Sequence, residues 1–288
     1  MYTMKVESKG LVTHGVSTCQ GCALELIMRN TLDVLGDDIV LVIPPGCAAM
    51  FSGSGPEGSV KVPGVQGNLE NSAAIASGIA NGFQHQGNNH TKVVAFAGDG
   101  GTVDIGLQAL SGAMERNENI LYICYDNEAY MNTGIQGSSS TPAGGWTTTT
   151  PAGKLGQSKD LMRIVMAHNV PYAASASVAN LPDLRKKVKK AKETVGTSVI
   201  HVQCPCPTGW GYPSARSIEL AREAVQSGAW LLFEYEQGKI KVTQEPKKLG
   251  ELEGYLKPQR RFRNMTEEQM AELKREVTAR YETIRAKA

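Results

Sequence analysis

The stretch VVAFAGDGGTVDIGLQALSGAMERNENILYICYDNEAYMNT, residues 93–133, decides the fold. Val93 to Ala97 is an apolar run of the kind a strand buried on both faces of a parallel sheet requires. Gly98-Asp99-Gly100-Gly101 turns the chain into a helical pattern carried by Ile105, Leu107, Leu110 and Met114. A second apolar run, Ile120 to Tyr125, ends in Asp126-Asn127. Strand, glycine turn, helix and strand make one βαβ unit, which predicts an α/β protein with a mostly parallel sheet flanked by helices. Ligands of such sheets lie outside the carboxyl ends of the strands, where Asp99 and Asn127 are placed.

The glycines let the backbone come close to an anion, and the helix start offers it free N–H groups. Asp99 and, 28 residues later, Asn127 add oxygens suited to Mg²⁺, which takes few protein ligands and completes its shell with phosphate and water. A glycine-rich turn in an ordinary α/β domain is the alternative. The GDG turn with Asn at this distance resembles the thiamine diphosphate motif. The following YDNEAYMNTGIQGSSSTPAGGWTTTTPAGK, from Tyr125, is similar to the beta subunit, or equivalent C-terminal region, of 2-oxoacid:ferredoxin oxidoreductases of the pyruvate synthase group. The resemblance runs from about Gly15 to about Tyr212. It implies a thiamine diphosphate-binding fold, with Gly98, Asp99, Gly100, Gly101, Asn127 and Ala129 at the cofactor. Asp99, Asn127 and the Ala129 carbonyl would hold Mg²⁺, and Asn132 would lie near the reactive thiazolium as the catalytic residue.

With 288 residues, 41% hydrophobic and 31 glycines, the chain is large enough for a proper core and composed like a glycine-turned α/β enzyme. A net charge of +2 gives no reason to expect nucleic acid. No apolar run approaches the roughly 20 residues of a membrane span, and MYTMKVESKG lacks a signal peptide's apolar core. A cytoplasmic location is expected. Six cysteines in a chain of this size are not a small secreted disulfide framework.

Cys19 and Cys22 form a C-x-x-C pair ahead of an apolar-periodic helix, and Cys47 follows a predicted strand, Ile39–Ile43. Taken alone, these three fit a redox pair, a zinc site or an iron–sulfur cluster. The same family carries a C-x-x-C, a third cysteine at this distance and a fourth far downstream, so the resemblance favours one 4Fe–4S cluster. It places the fourth ligand at Cys206, through the likeness of Cys206-Pro-Thr-Gly-Trp210 to the family's motif. Cys204, read as the end of strand Ser198–Gln203, is the runner-up because alternation turns both side chains the same way. Cys124 is read as a buried apolar thiol. Ala23 stands where many relatives have Gly, and Glu25 receives no role.

Elsewhere, residues 48–67 read as a loop and Ser72–Ala80 as an Ala-rich helix. Glu70 is not assigned as the acid that activates the cofactor, since in heteromeric relatives that acid belongs to the alpha chain. His14 is expected to serve a local hydrogen bond, and His85 and His90 to sit in an exposed loop. Residues 131–153, rich in Ser, Thr and Gly, are expected to wrap the cofactor's diphosphate. Further expected elements are helix Leu161–Ala167, strand Tyr172–Val178, and a helix over Leu181–Thr194 with six Lys or Arg that is either a solvated face or a dock for an acidic ferredoxin. Helix Ser217–Ser227 should precede a hairpin, Leu231–Tyr235 with Lys239–Val242, and Thr266–Ala286 should close the chain as an amphipathic helix. Residues 1–212 are thus read as a thiamine domain bearing the cluster, and 213–288 as an extension packing on it or on a partner.

The resemblance implies an oxidative decarboxylation in which thiamine diphosphate serves as electron sink and the cluster removes electrons singly. The expected substrate is a 2-oxoacid, by default pyruvate, with coenzyme A taking the acyl group and ferredoxin the electrons. One thiamine-type domain and no ferredoxin-like cysteine run imply an obligate complex with an alpha chain and with gamma and delta chains or their fusion. The alternatives are a non-redox thiamine lyase or decarboxylase, a zinc-bound assembly subunit and, within the family, an oxidoreductase acting on oxalate, 2-oxoglutarate or a branched or aryl 2-oxoacid.

Overall fold

The computed structural model describes residues 9–52, 58–246 and 249–288. The N-terminal reading falls largely, and the 48–67 loop partly, outside them. The helices are α1 (Ala23–Leu35), α2 (Ser72–His85), α3 (Leu107–Glu115), α4 (Leu161–Ala167), α5 (Leu181–Glu193), α6 (Pro207–Trp210), α7 (Ser217–Gln226), α8 (Leu252–Leu256) and α9 (Glu267–Arg285). The strands are β1 (Ile39–Ile43), β2 (Gly64–Gln66), β3 (Lys92–Gly98), β4 (Ile120–Asp126), β5 (Tyr172–Ser177), β6 (Ser198–Gln203), β7 (Leu232–Glu236) and β8 (Lys239–Gln244). They form one sheet in the order β2-β1-β3-β4-β6-β5-β7-β8. The first six are parallel, and β7 and β8 are antiparallel to their neighbours.

Alternation divides the apolar runs between two cores. Phe96, Ile123 and Tyr125 face α1 and α5, whereas Ala95, Tyr122 and Cys124 face α2, α3, α4 and α9. Both faces of β3 and β4 are covered, so their sequences are apolar without a break. From β1 the chain leaves towards β2, on one side, while β3 connects through α3 to β4, on the other. The switch in direction opens a crevice at the carboxyl ends of β1 and β3.

The structure departs from several sequence expectations. The 48–67 segment holds a 3₁₀ turn at Cys47–Phe51 and the edge strand β2, whose three residues are all exposed and therefore leave no apolar pattern. Ile105 is 52% exposed, because a single π-helical turn over Gly100–Asp104 precedes α3 and shifts its buried face to Leu110, Ala113 and Met114. His85 belongs to α2, while His90 is exposed and pairs with Asp38 at 2.7 Å. Cys204 lies one residue beyond β6.

Helix α5 is only partly a solvated face. Lys187 is 1% exposed and its Nζ donates to Asp183, the Ser175 carbonyl and Thr243. Lys192 caps the Leu35 carbonyl at 2.5 Å, Lys190 pairs with Glu236 at 2.9 Å, and Arg185 reaches Asn30. Lys186 and Lys189 stay exposed. The hairpin turns through Gln237 and Gly238, both at positive φ, as a two-residue hairpin loop demands. It extends the main sheet through β5.

Candidate active site

Two cavities meet at the crevice. The first, of about 110 Å³, is lined by Cys47, Gly98–Gly101, Tyr125, Asn127, Ala129 and Asn132, among others. The second, of about 210 Å³, is lined by Cys19, Cys22, Cys47, Cys204 and Cys206. Cys47, Asn127, Met131 and Asn132 belong to both walls.

In the first cavity the Gly98-Asp99-Gly100 turn leads into the π-helical turn, a one-turn distortion frequent at functional sites. Gly100 has no room for a side chain: a Cβ there would lie 2.4 Å from the Tyr130 ring. Asp99 is 1% exposed, its Oδ2 accepting from Ser138 Oγ at 2.5 Å and its Oδ1 from the Asn127 N–H at 3.3 Å. Burial, then the charge of Asp126, holds its carboxyl well above the usual range. One terminal atom of the Asn127 amide lies 2.7 Å from the Ala129 carbonyl oxygen and 3.0 Å from Asp99 Oδ1. With nitrogen there, the amide donates to both. With oxygen there, three oxygens crowd together, an arrangement that a bound cation stabilises, and Asn127 Nδ2 then points at Cys47 Sγ, 3.9 Å away. Octahedral Mg²⁺, with ligands at about 2.0–2.1 Å, sets adjacent oxygens roughly 3 Å apart. The donor set and spacing fit Mg²⁺.

The turn carrying these oxygens is fixed from every side. Glu128 takes φ +65°. Its N–H donates to Asp126 Oδ1 at 2.9 Å, its carbonyl accepts from Thr141 Oγ1 at 2.6 Å, and its carboxylate pairs with Arg261 at 2.5 Å. The Asn127 carbonyl accepts from Trp210 Nε1 at 2.8 Å, and the Arg261 guanidinium lies 4.0 Å over the Trp210 ring. Asp126 Oδ2 is 2.7 Å from His201 Nε2, beneath Trp230. The loop that follows folds back over the site, with the Lys154 ammonium donating to the carbonyls of Ser138, Ser139 and Thr141. Asn132 is exposed at the shared wall.

All six cysteines are free, and Cys124 is buried inside β4. Gly46 turns β1 into Cys47, Cys22 precedes α1, and Cys206 caps α6 with its sulfur accepting from the Gly209 N–H at 3.3 Å. Burial, then the charges of Cys206, Cys22 and Cys19, pushes Cys47 up to about 12, and burial pushes Cys206 up to about 11. Five thiols line one cavity, and bound iron stabilises cysteine sulfur as thiolate, so the donor set is enough for a Cys₄ cluster. Among the described residues no three His, Cys, Asp or Glu side chains are placed to hold a metal ion. The cysteines share a cavity without closing on a common centre.

Sequence reasoning placed Asp99, Asn127, Ala129 and Asn132 in one crevice, as the structure has them. It assigned no role to Asp126, His201, Trp210 or Arg261, and did not single out Ser138 within the 131–153 loop. His201 had a signal, a polar side chain set between the apolar Val199-Ile200 and Val202. Arg261 had none.

Residues 45–202 match the family "Thiamine pyrophosphate enzyme, C-terminal TPP binding domain". Pyruvate synthase subunit PorB of Methanothermobacter thermautotrophicus is 47% identical over 98% of this chain and 100% of its own. Ketoisovalerate oxidoreductase subunit VorB of Pyrococcus abyssi is 46% identical over 94% of this chain and 91% of its own. The 2-oxoglutarate:ferredoxin oxidoreductase of Magnetococcus marinus shares the fold, with a TM-score of 0.62 at 19% identity over 76% of this chain and 81% of that one. The crevice, the Asp99–Asn127 pair and these near full-length likenesses make this chain a member of the thiamine diphosphate-binding beta subunits of 2-oxoacid:ferredoxin oxidoreductases.

Proposed function

We propose that this chain holds thiamine diphosphate through Mg²⁺ on Asp99, Asn127 and the Ala129 carbonyl, with Gly98, Gly100 and Gly101 against the diphosphate. One 4Fe–4S cluster is held by Cys19, Cys22, Cys47 and Cys206. Thiamine diphosphate supplies the electron sink for loss of CO₂ from a 2-oxoacid, and the cluster supplies a one-electron acceptor. The substrate is pyruvate by likeness to PorB, with a branched 2-oxoacid next by likeness to VorB. Coenzyme A takes the acyl group and ferredoxin the electrons. The complex includes an alpha chain that completes the thiamine site, and gamma and delta chains or their fusion, in the cytoplasm. Residues 213–288 form an extension packed on a thiamine domain of residues 1–212, a reading supported by β7 joining β5.

The shared wall of the two cavities carries this reading, because Cys47 and Asn127 belong to both. The chain's own residues then have separate tasks. Asp99 and Asn127 orient the cofactor, the loop pinned by Lys154 excludes water, and the exposed Asn132 amide hydrogen-bonds the substrate. Asn132→Ala with full turnover would remove the last of these. The principal test is anaerobic iron and sulfide analysis of the co-purified complex with and without Cys206→Ser. The expected result is loss of about one cluster, four iron atoms per chain. A wild-type complex that binds thiamine diphosphate but holds no iron would make the protein a non-redox lyase, and zinc without thiamine diphosphate would make it an assembly subunit.

A further inference from the structure

Tyr125, the penultimate residue of β4, stands between the two cavities. Its side chain is on the α1 face of the sheet, 2% exposed and stacked on Phe96 with ring centroids 5.3 Å apart. Two turns are built around the phenol. A Cβ on Gly46, in the turn before Cys47, would lie 3.3 Å from its oxygen. A Cβ on Gly98, in the turn before Asp99, would lie 3.1 Å from its ring and 3.3 Å from its oxygen. The phenol oxygen accepts one hydrogen bond, from the Ala48 N–H at 3.1 Å. Its own proton is engaged in none of the described hydrogen bonds, although a buried hydroxyl normally donates as well. The ionisable groups facing it are Cys47, Cys204 and Asp99.

We propose that Tyr125 is a positioning residue for electron transfer, its hydroxyl donating to the Cys47 sulfur once that sulfur is an iron-bound thiolate. The inference rests on the cluster reading above. The Ala48 N–H fixes the oxygen beside the residue that follows Cys47, and Tyr125 and Cys47 line the same cavity. Asn127 Nδ2 lies 3.9 Å from the same sulfur when its oxygen faces Asp99 and Ala129. Hydrogen bonds to cluster sulfurs withdraw charge from the thiolate and favour the reduced cluster. Tyr125 thereby eases arrival of the electron at the Cys47 corner, the corner that borders the cofactor cavity.

Tyr125→Phe keeps the ring, the Phe96 stack and the wedge between the two turns. The test is an electron-paramagnetic-resonance redox titration of the anaerobically purified complex, beside iron and sulfide content and the Mg²⁺-dependent affinity for thiamine diphosphate. The expected result is wild-type iron content and cofactor affinity, with a several-fold fall in the reduced-to-oxidised ratio of this cluster at fixed poise. An unchanged titration at full iron content overturns the proposal, as does weakened thiamine diphosphate binding with an unshifted titration, which would assign the proton to the Asp99 side. Absence of iron from the wild-type complex would instead remove the cluster reading itself.

Discussion

At Glu128 the backbone enters the left-handed region at φ +65°, in a turn anchored by two buried charges and two neutral donors. Strain of this kind persists only where the surroundings over-determine it, and here it carries Ala129's carbonyl towards Asp99. Asp126 anchors the turn through the Glu128 N–H, and His201 holds Asp126. Replacing His201 by Asn should therefore weaken Mg²⁺-dependent binding of thiamine diphosphate by about 10–100-fold, the usual effect of removing an outer-shell partner. Calorimetry showing wild-type affinity in a folded His201→Asn protein would refute that coupling. Gly100→Ala should abolish cofactor binding, since its methyl enters the Tyr130 ring. Retained binding would show that Tyr130 moves aside freely.

Lys92 makes a pH prediction. It is 5% exposed, donates to Asn119 and to the Thr194 carbonyl, and is held down to about 8 by burial. Below that value both folded and unfolded chains carry the proton, and the cost of burying the charge is fully present. Between about 8 and the unfolded value of about 10.4 the folded chain releases it first, so stability rises with pH. Against a Lys92→Met control, the denaturant midpoint of the wild type should gain across that window. A pH-independent difference would show that Lys92 is ordinarily protonated.

Among the elements, α5 shows how a charge run misleads. Its hydrophobic stripe of Leu184, Val188 and Ala191 was legible, but which lysines extend into the core was not. That depended on Ser175 and Thr243, on distant strands, meeting Lys187. Lys187→Ala should cost about 3–5 kcal/mol by leaving Asp183 half-buried without its partner. The pair Lys186→Glu and Lys189→Glu should shift stability by less than about 0.5 kcal/mol each. Urea unfolding of the two variants separates a packing helix from a solvated one, and equal losses would contradict this assignment. Strand β2 eluded sequence reading for the opposite reason, having no buried side chain to mark it.

On the scale of the whole molecule, the crevice opens at the carboxyl edge of the sheet, lined by the turns that follow β1, β3 and β4. The isolated chain should bind thiamine diphosphate weakly and show no 2-oxoacid-dependent reduction of ferredoxin until an alpha chain is added. Turnover by the purified chain alone would refute the incomplete-site reading.

The βαβ unit, the two crevice oxygens and the cysteine spacing were readable from sequence because each is local, a period, a turn or a distance along the chain. The order β4-β6-β5, the capture of the hairpin by β5 and the Asp126–His201 pair were not. Each joins residues remote in sequence, and only the burial of both sheet faces brings them together. The meeting of the Cys47 turn with the Asp99 turn across Tyr125 is of the same kind. The sequence determined which groups the site contains, and the tertiary structure decided which of them touch.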